Sequence, residues 1–185
     1  MRIVAKKTFS PFLLAIIPVV LLGWTSMPVK ESTVHVNYPP VSTFESSCAR
    51  CHGPEGAFYG DSFGRLPDEE LEKFVTDMMK GPAGLDPNPM DIDAMVAYNQ
   101  SLTKKKPFIF LSSIDTTDVG IIFSGECTPG ISLIINCDNV SQNIEVGGEG
   151  KWETKPIDPS CTPVFTAKNT TGLATLVYGD SRWTN

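Results

Sequence analysis

Cys48, Cys51 and His52 are the residues of this chain whose types and spacing can do chemistry. They stand in the run Cys48-Ala49-Arg50-Cys51-His52. Two thiols three residues apart lie about one helical turn from each other, so both can form thioethers to the two vinyl groups of one porphyrin. A histidine directly after the second thiol then lies under the ring and offers a neutral nitrogen to iron. The pentapeptide is therefore the attachment signature of one covalently bound haem c. Cys48 and Cys51 are its tethers and His52 its proximal iron ligand. Two other chemistries are weaker. A thioredoxin-type dithiol needs a βαβ setting, and none is visible. A zinc centre needs four ligands, yet the only other histidine is His35 and the next cysteine is Cys127.

The elements that must position this run begin with an export segment. Arg2, Lys6 and Lys7 precede an apolar stretch over 9–24, and residues 1–26 read as a signal peptide or N-terminal anchor. The stretch is short for a membrane span, and no A-x-A stands before Met27 to mark cleavage. If uncleaved, residues 9–24 would tether the chain to the inner membrane. Either way the rest is expected outside the cytoplasm, periplasmic or extracellular, where disulfides persist. The whole chain has 185 residues and a net charge of −6; losing the segment removes three positive charges and no negative ones. An acidic surface without a basic patch argues against nucleic acid and for a basic protein partner. Length allows one or two domains.

Residues 27–40, with Pro28, Pro39 and Pro40, read as a linker. A helical domain is expected over 41–103. Ser42 and Glu45 have capping-box spacing for a short helix that carries Phe44 into Cys48–His52. Gly53-Pro54-Glu55-Gly56 ends it, and 57–66 is expected as loop. A second helix spans 67–80, with Leu71, Phe74, Val75, Met78 and Met79 on one face. Its first turn is acidic and Lys80 stands at its end, as the helix dipole prefers. Asn88 caps a third helix with Pro89 at its first position and Asp91 three residues after the cap. Its inner stripe is Ile92, Met95, Val96, Asn99 and Leu102, with Tyr98 at the edge. Lys104-Lys105-Lys106-Pro107 closes this part: lysines suit a helix C-terminus, and proline forbids continuation.

Cys-His-Gly-Pro-Glu-Gly at 51–56, then a helix, then Asp93-Ala94-Met95-Val96-Ala97-Tyr98-Asn99-Gln100-Ser101-Leu102, closely resembles the small class I monohaem cytochrome c domain. The resemblance covers about a third of the chain. It implies an all-α cytochrome c fold wrapping one haem, and one-electron transfer rather than catalysis. It also implies a second iron ligand, usually a methionine in the loop before the last helix, where this chain has Leu85. Met79, at a helix end where a side chain can be re-aimed, is the favoured distal iron ligand. Met78 shares its face and its place beside the loop. Met90 starts a helix and is less easily swung over the ring. Met95 reads as core packing. His35 could fold back to the iron, and an open sixth position is the remaining alternative.

From 108 onward the texture turns to β. Short segments at 108–114, 119–124, 131–137, 143–146, 151–155, 164–168 and 174–178 are rich in β-branched and aromatic residues. Glycine- and proline-bearing turns separate them. About seven such strands read as a sandwich. The order Ser124-Gly125-Glu126-Cys127, Gly150-Lys151-Trp152, Phe165-Thr166-Ala167-Lys168 is similar to bacterial immunoglobulin-like domains. That resemblance implies an all-β immunoglobulin-like β-sandwich over 108–185 with Trp152 in its core. Of Cys127, Cys137 and Cys161, one pair is expected as a disulfide. Cys137 faces inward by strand alternation, which favours Cys137 with Cys161; Cys127 could replace either or bridge to a second molecule. No catalytic triad or defined acid pair is visible, so the second part reads as a docking, spacer or self-assembly module.

The expected whole is an exported monohaem electron carrier of multidomain α plus β architecture, serving a cytochrome or oxidoreductase as redox partner. The alternative is a gas- or peroxide-binding haem site with an open iron position.

Overall fold

The computed structural model describes residues 36–138, 140–177 and 183–184. The expected export segment, its tether over 9–24 and His35 lie outside them. The described residues all fall within one compact unit.

Its first element, α1 (40–52), is a continuous helical run. It comprises an α turn at Pro40–Thr43, a π-helical stretch at Phe44–Cys48 and an α turn at Ala49–His52. Single-turn 3₁₀ segments follow at Pro54–Gly56 and Phe63–Arg65. Helix α2 (Asp68–Lys80) buries Leu71, Val75 and Met79. Helix α3 (Pro89–Lys104) starts at a complete capping box. The Asn88 side chain accepts from the Asp91 amide, and the Asp91 carboxylate accepts from the Asn88 amide. At its other end Lys105 takes the left-handed conformation (φ 54°) and Pro107 follows.

Eight strands then build two antiparallel sheets. They are β1 (Ile109–Thr117), β2 (Gly120–Cys127), β3 (Ser132–Cys137), β4 (Val140–Ile144), β5 (Lys151–Glu153), β6 (Val164–Lys168), β7 (Leu173–Val177) and β8 (Trp183–Thr184). One sheet has the order β5-β2-β1-β8 and the other β4-β3-β6-β7. Pairing of Ile109 with Cys127 and of Leu133 with Ala167 sets which side chains face inward. Ile109, Leu111, Phe123 and Trp152 of the first sheet and Leu133, Ile135, Phe165 and Leu176 of the second share one core. Cys137 and Cys161 form a disulfide across 24 residues, the pairing favoured by the alternation.

The expected fold class needs correction. The described residues do not hold a self-contained all-α cytochrome c domain followed by a separate immunoglobulin-like sandwich. The unit is mostly β: two antiparallel sheets with three short helical elements before them. The physical reason lies in the second apolar cluster. Three short helices enclose too little surface to make a core alone. Val41, Phe44, Met79, Met95 and Tyr98 are therefore closed over by Phe108, directly before β1, and Phe110 within it, both fully buried.

Two local expectations also change. Ser42 does not cap α1: it lies inside the helix and its hydroxyl donates to the Pro39 carbonyl. Tyr98 is not at an edge but fully buried, because α3 is covered both by the helices and by Phe108, 5.1 Å away between ring centres.

Candidate functional site

Cys48 ends the π-helical stretch and Cys51 and His52 occupy the last α turn before Gly53. Gly53 takes φ 75°, a conformation costly for other residues, and so stops the helix directly after His52. Both thiols are free; Cys48 is half-buried and Cys51 exposed. All three side chains line one cleft. Val75, Met78 and Met79 of α2 face them, and Phe44, Tyr59, Phe63 and Met95 supply further apolar lining. The enclosed cavity is about 40 Å³, well below the usual size of a cofactor site, so a porphyrin would need the cleft walls to part.

The aromatic side of the cleft is tightly organised. Tyr59 lies 5.0 Å from the His52 ring and stacks on Phe63 at 4.1 Å; Phe63 meets Phe74 edge-on at 5.4 Å. Gly56 makes this possible, since a Cβ there would fall 2.5 Å from the Tyr59 ring. The Tyr59 hydroxyl donates to Asn99 Oδ1, and the Asn99 amide nitrogen donates to the Met95 carbonyl at 2.8 Å. Asn99 is thus a buried polar group with its bonds made. Burial, with the field of Cys48 second, holds the Tyr59 phenol far above its ordinary pKa, so it remains a donor.

Burial also raises the Cys48 thiol, against the opposing pull of the Arg50 guanidinium. A reactive dithiol needs the reverse, a lowered pKa. Arg50 itself donates to the Pro82 carbonyl at 3.0 Å, joining the cysteine-bearing helix to the loop after α2 across the cleft mouth.

The methionines sort by position. Met78, Met79 and Met95 line the cleft with His52, whereas Met90 does not. Met79 is fully buried and Met78 half-buried. Leu85 packs at the margin of the helical core and is not part of the lining. Its amide donates to the Met79 carbonyl at 2.9 Å.

The donor set discriminates between metal groups. Among the described residues the only cluster of three candidate metal ligands is Cys137, Asp138 and Cys161, and its two sulfurs are spent in the disulfide. Among the described residues, Cys48, Cys51 and His52 therefore have no further ligands of the kind a zinc centre needs. Two free thiols and an imidazole on one helix, with thioether sulfurs lining the same apolar cleft, are the donor types that haem c would use.

Sequence reasoning passed over Tyr59, Arg50 and Glu126. Asn99, a polar residue on the inner stripe of α3, is the one signal that could have pointed to Tyr59. The contacts of Arg50 and Glu126 depend on chain segments distant in sequence. Among the described residues no helix is long and apolar enough to cross a membrane. No family model matches this chain, and no curated protein or solved structure matches it either.

Proposed function

We propose that this chain is an exported electron carrier holding one covalently attached haem c. The observation that carries the reading is the convergence of Cys48, Cys51 and His52 from one helix on an apolar cleft that also contains methionine thioethers. Cys48 and Cys51 would tether the porphyrin and His52 would ligate iron. Met79 would be the first choice for a second iron ligand and Met78 the second. When bound, the haem supplies an iron couple that takes up and returns one electron. The chain's part is to exclude water with Phe44, Val75 and Met95, and to hold the cleft walls together through Arg50 and Pro82. The exposed cleft rim, with Cys51 and Arg50, is where a redox partner protein would approach.

Covalent attachment and the Cys137–Cys161 disulfide both suit an oxidising compartment outside the cytoplasm. Residues 9–24 are the candidate tether to its membrane if they are retained. The sheets present a surface for docking or self-assembly. An open sixth iron position, serving gas or peroxide binding, is the second reading; the absence of any sulfur in the 81–87 loop favours it.

The test is a visible spectrum of protein made with a haem-attachment system, oxidised and reduced, with and without carbon monoxide. Low-spin bands unmoved by carbon monoxide, and loss of covalent haem in a Cys48→Ser/Cys51→Ser variant, are expected. A high-spin spectrum that changes at once would transfer the site to the second reading. A wild-type chain that acquires no haem would sink both.

A further inference from the structure

The first amides of α1 have no cap of their own: the residue before the helix is Pro39, and no side chain of the helix start accepts from them. Their acceptor comes from the sheet. Glu126 on β2, 3% exposed, accepts from the Val41 amide through Oε2 at 2.9 Å. Both its carboxylate oxygens accept from the Ser42 amide, at 3.3 and 3.4 Å. These bonds span 84 and 85 residues of sequence. A negative group at the positive end of a helix is favoured, and a charge-assisted bond in a buried place is a strong one. No cation lies within ion-pairing distance of Glu126 among the described residues. From Val41 and Ser42 the helical run continues unbroken to Cys48, Cys51 and His52.

We infer that Glu126 is the positioning residue of the cleft. It sets the start and the roll of α1, and through that helix it aims the two thiols and the imidazole. The sheet half is thereby part of the site and not an appended module. Resting on the haem reading, a second consequence follows: the buried negative charge holds the reduction potential down, since it favours the oxidised, more positive iron.

The experiment uses full-length chains carrying Glu126→Ala, Glu126→Gln or Glu126→Asp. Amide hydrogen exchange is followed by peptide mass spectrometry, and the reduction potential is measured on haem-loaded protein. Glu126→Ala should raise exchange across the whole of 40–52 by roughly ten- to a hundredfold, leaving β3 and β6 unchanged. Glu126→Gln keeps an acceptor oxygen and should restore protection, yet raise the potential because the charge is gone. Glu126→Asp keeps the charge on a shorter stem and should loosen 40–52; it decides the question if Glu126→Ala does not fold. Faster exchange confined to 40–43, or spread evenly over the chain, would overturn the positioning role. An unchanged potential in Glu126→Gln would overturn the role of the charge. If wild-type protein takes up no haem, the haem reading fails alone, and exchange still decides the positioning.

Discussion

Met79 and Met78 are adjacent in sequence and share the cleft, but they differ in what their loss should do. Met79 is 2% exposed and belongs to the helical core, so Met79→Ala leaves a cavity and should cost about 2–5 kcal/mol. Met78 is half-buried and should cost clearly less. Urea midpoints measure the difference, and on the proposed haem reading the variant whose reduced form binds carbon monoxide rapidly would name the iron ligand. Cys127 makes a residue-scale prediction about pH. It is fully buried, and desolvation, with Glu126 second, pushes its thiol from 9.0 up to about 12. The unfolded thiol therefore ionises at lower pH than the folded one. Its stability contribution is intact below pH 9 and declines from there toward pH 12. Urea midpoints should be flat from neutral pH to about 9 and fall above it, with a shallower fall in Cys127→Ser. Buried Tyr98, whose phenol burial raises strongly, adds to the same alkaline loss.

At the scale of elements, the start of α3 is the most heavily bonded helix end. Asp91 is fully buried. It accepts from the Asn37 and Tyr38 amides at 2.7 and 3.0 Å and from the Asn88 amide at 2.9 Å. It thus ties the segment entering α1 to the helix that backs the cleft. Asp91→Ala strands three donors and should cost about 3 kcal/mol or more. Asn88→Ala removes only the outer half of the capping box and should cost about 1 kcal/mol. Thermal denaturation of both single variants and the double checks this. The double variant should fall short of the sum, because each removes part of one reciprocal cap. Helix α1 makes the contrast, since its cap comes from a strand rather than from its own first turn.

For the molecule as a whole, the disulfide and the shared helical core decide cooperativity. Cys137–Cys161 closes a loop of 24 residues beside β3, the central partner of β4 and β6. Its reduction should cost about 3 kcal/mol. A urea titration with and without reductant measures that, and an unchanged midpoint would mean that the bridge contributes nothing. Helices and sheets should respond together, because Phe108 and Phe110 of the β1 region complete the core around Phe44 and Tyr98.

Local patterning was enough to place most elements. The apolar period of 67–80, the Asn88-Pro89-Asp91 start of α3 and the turns between strands are short-range signals that the helices and most strands follow, although β4 starts three residues before the expected 143–146 and β8 was not expected. Strand alternation also placed Cys137 on the inner side, while the choice of Cys161 over Cys127 as its partner was made by the fold. The spacing of Cys48, Cys51 and His52 put them on one helix because a helix repeats within four residues. Three things were decided only by tertiary structure. The helices do not close a core by themselves and take Phe108 and Phe110 to do it. The α1 amides are bonded by Glu126 rather than by Ser42. Tyr59 comes to stand against His52, held by Asn99 from another helix. Each joins groups far apart along the chain, and which of many compatible partners meet depends on how the buried surfaces pack, a choice no local spacing encodes.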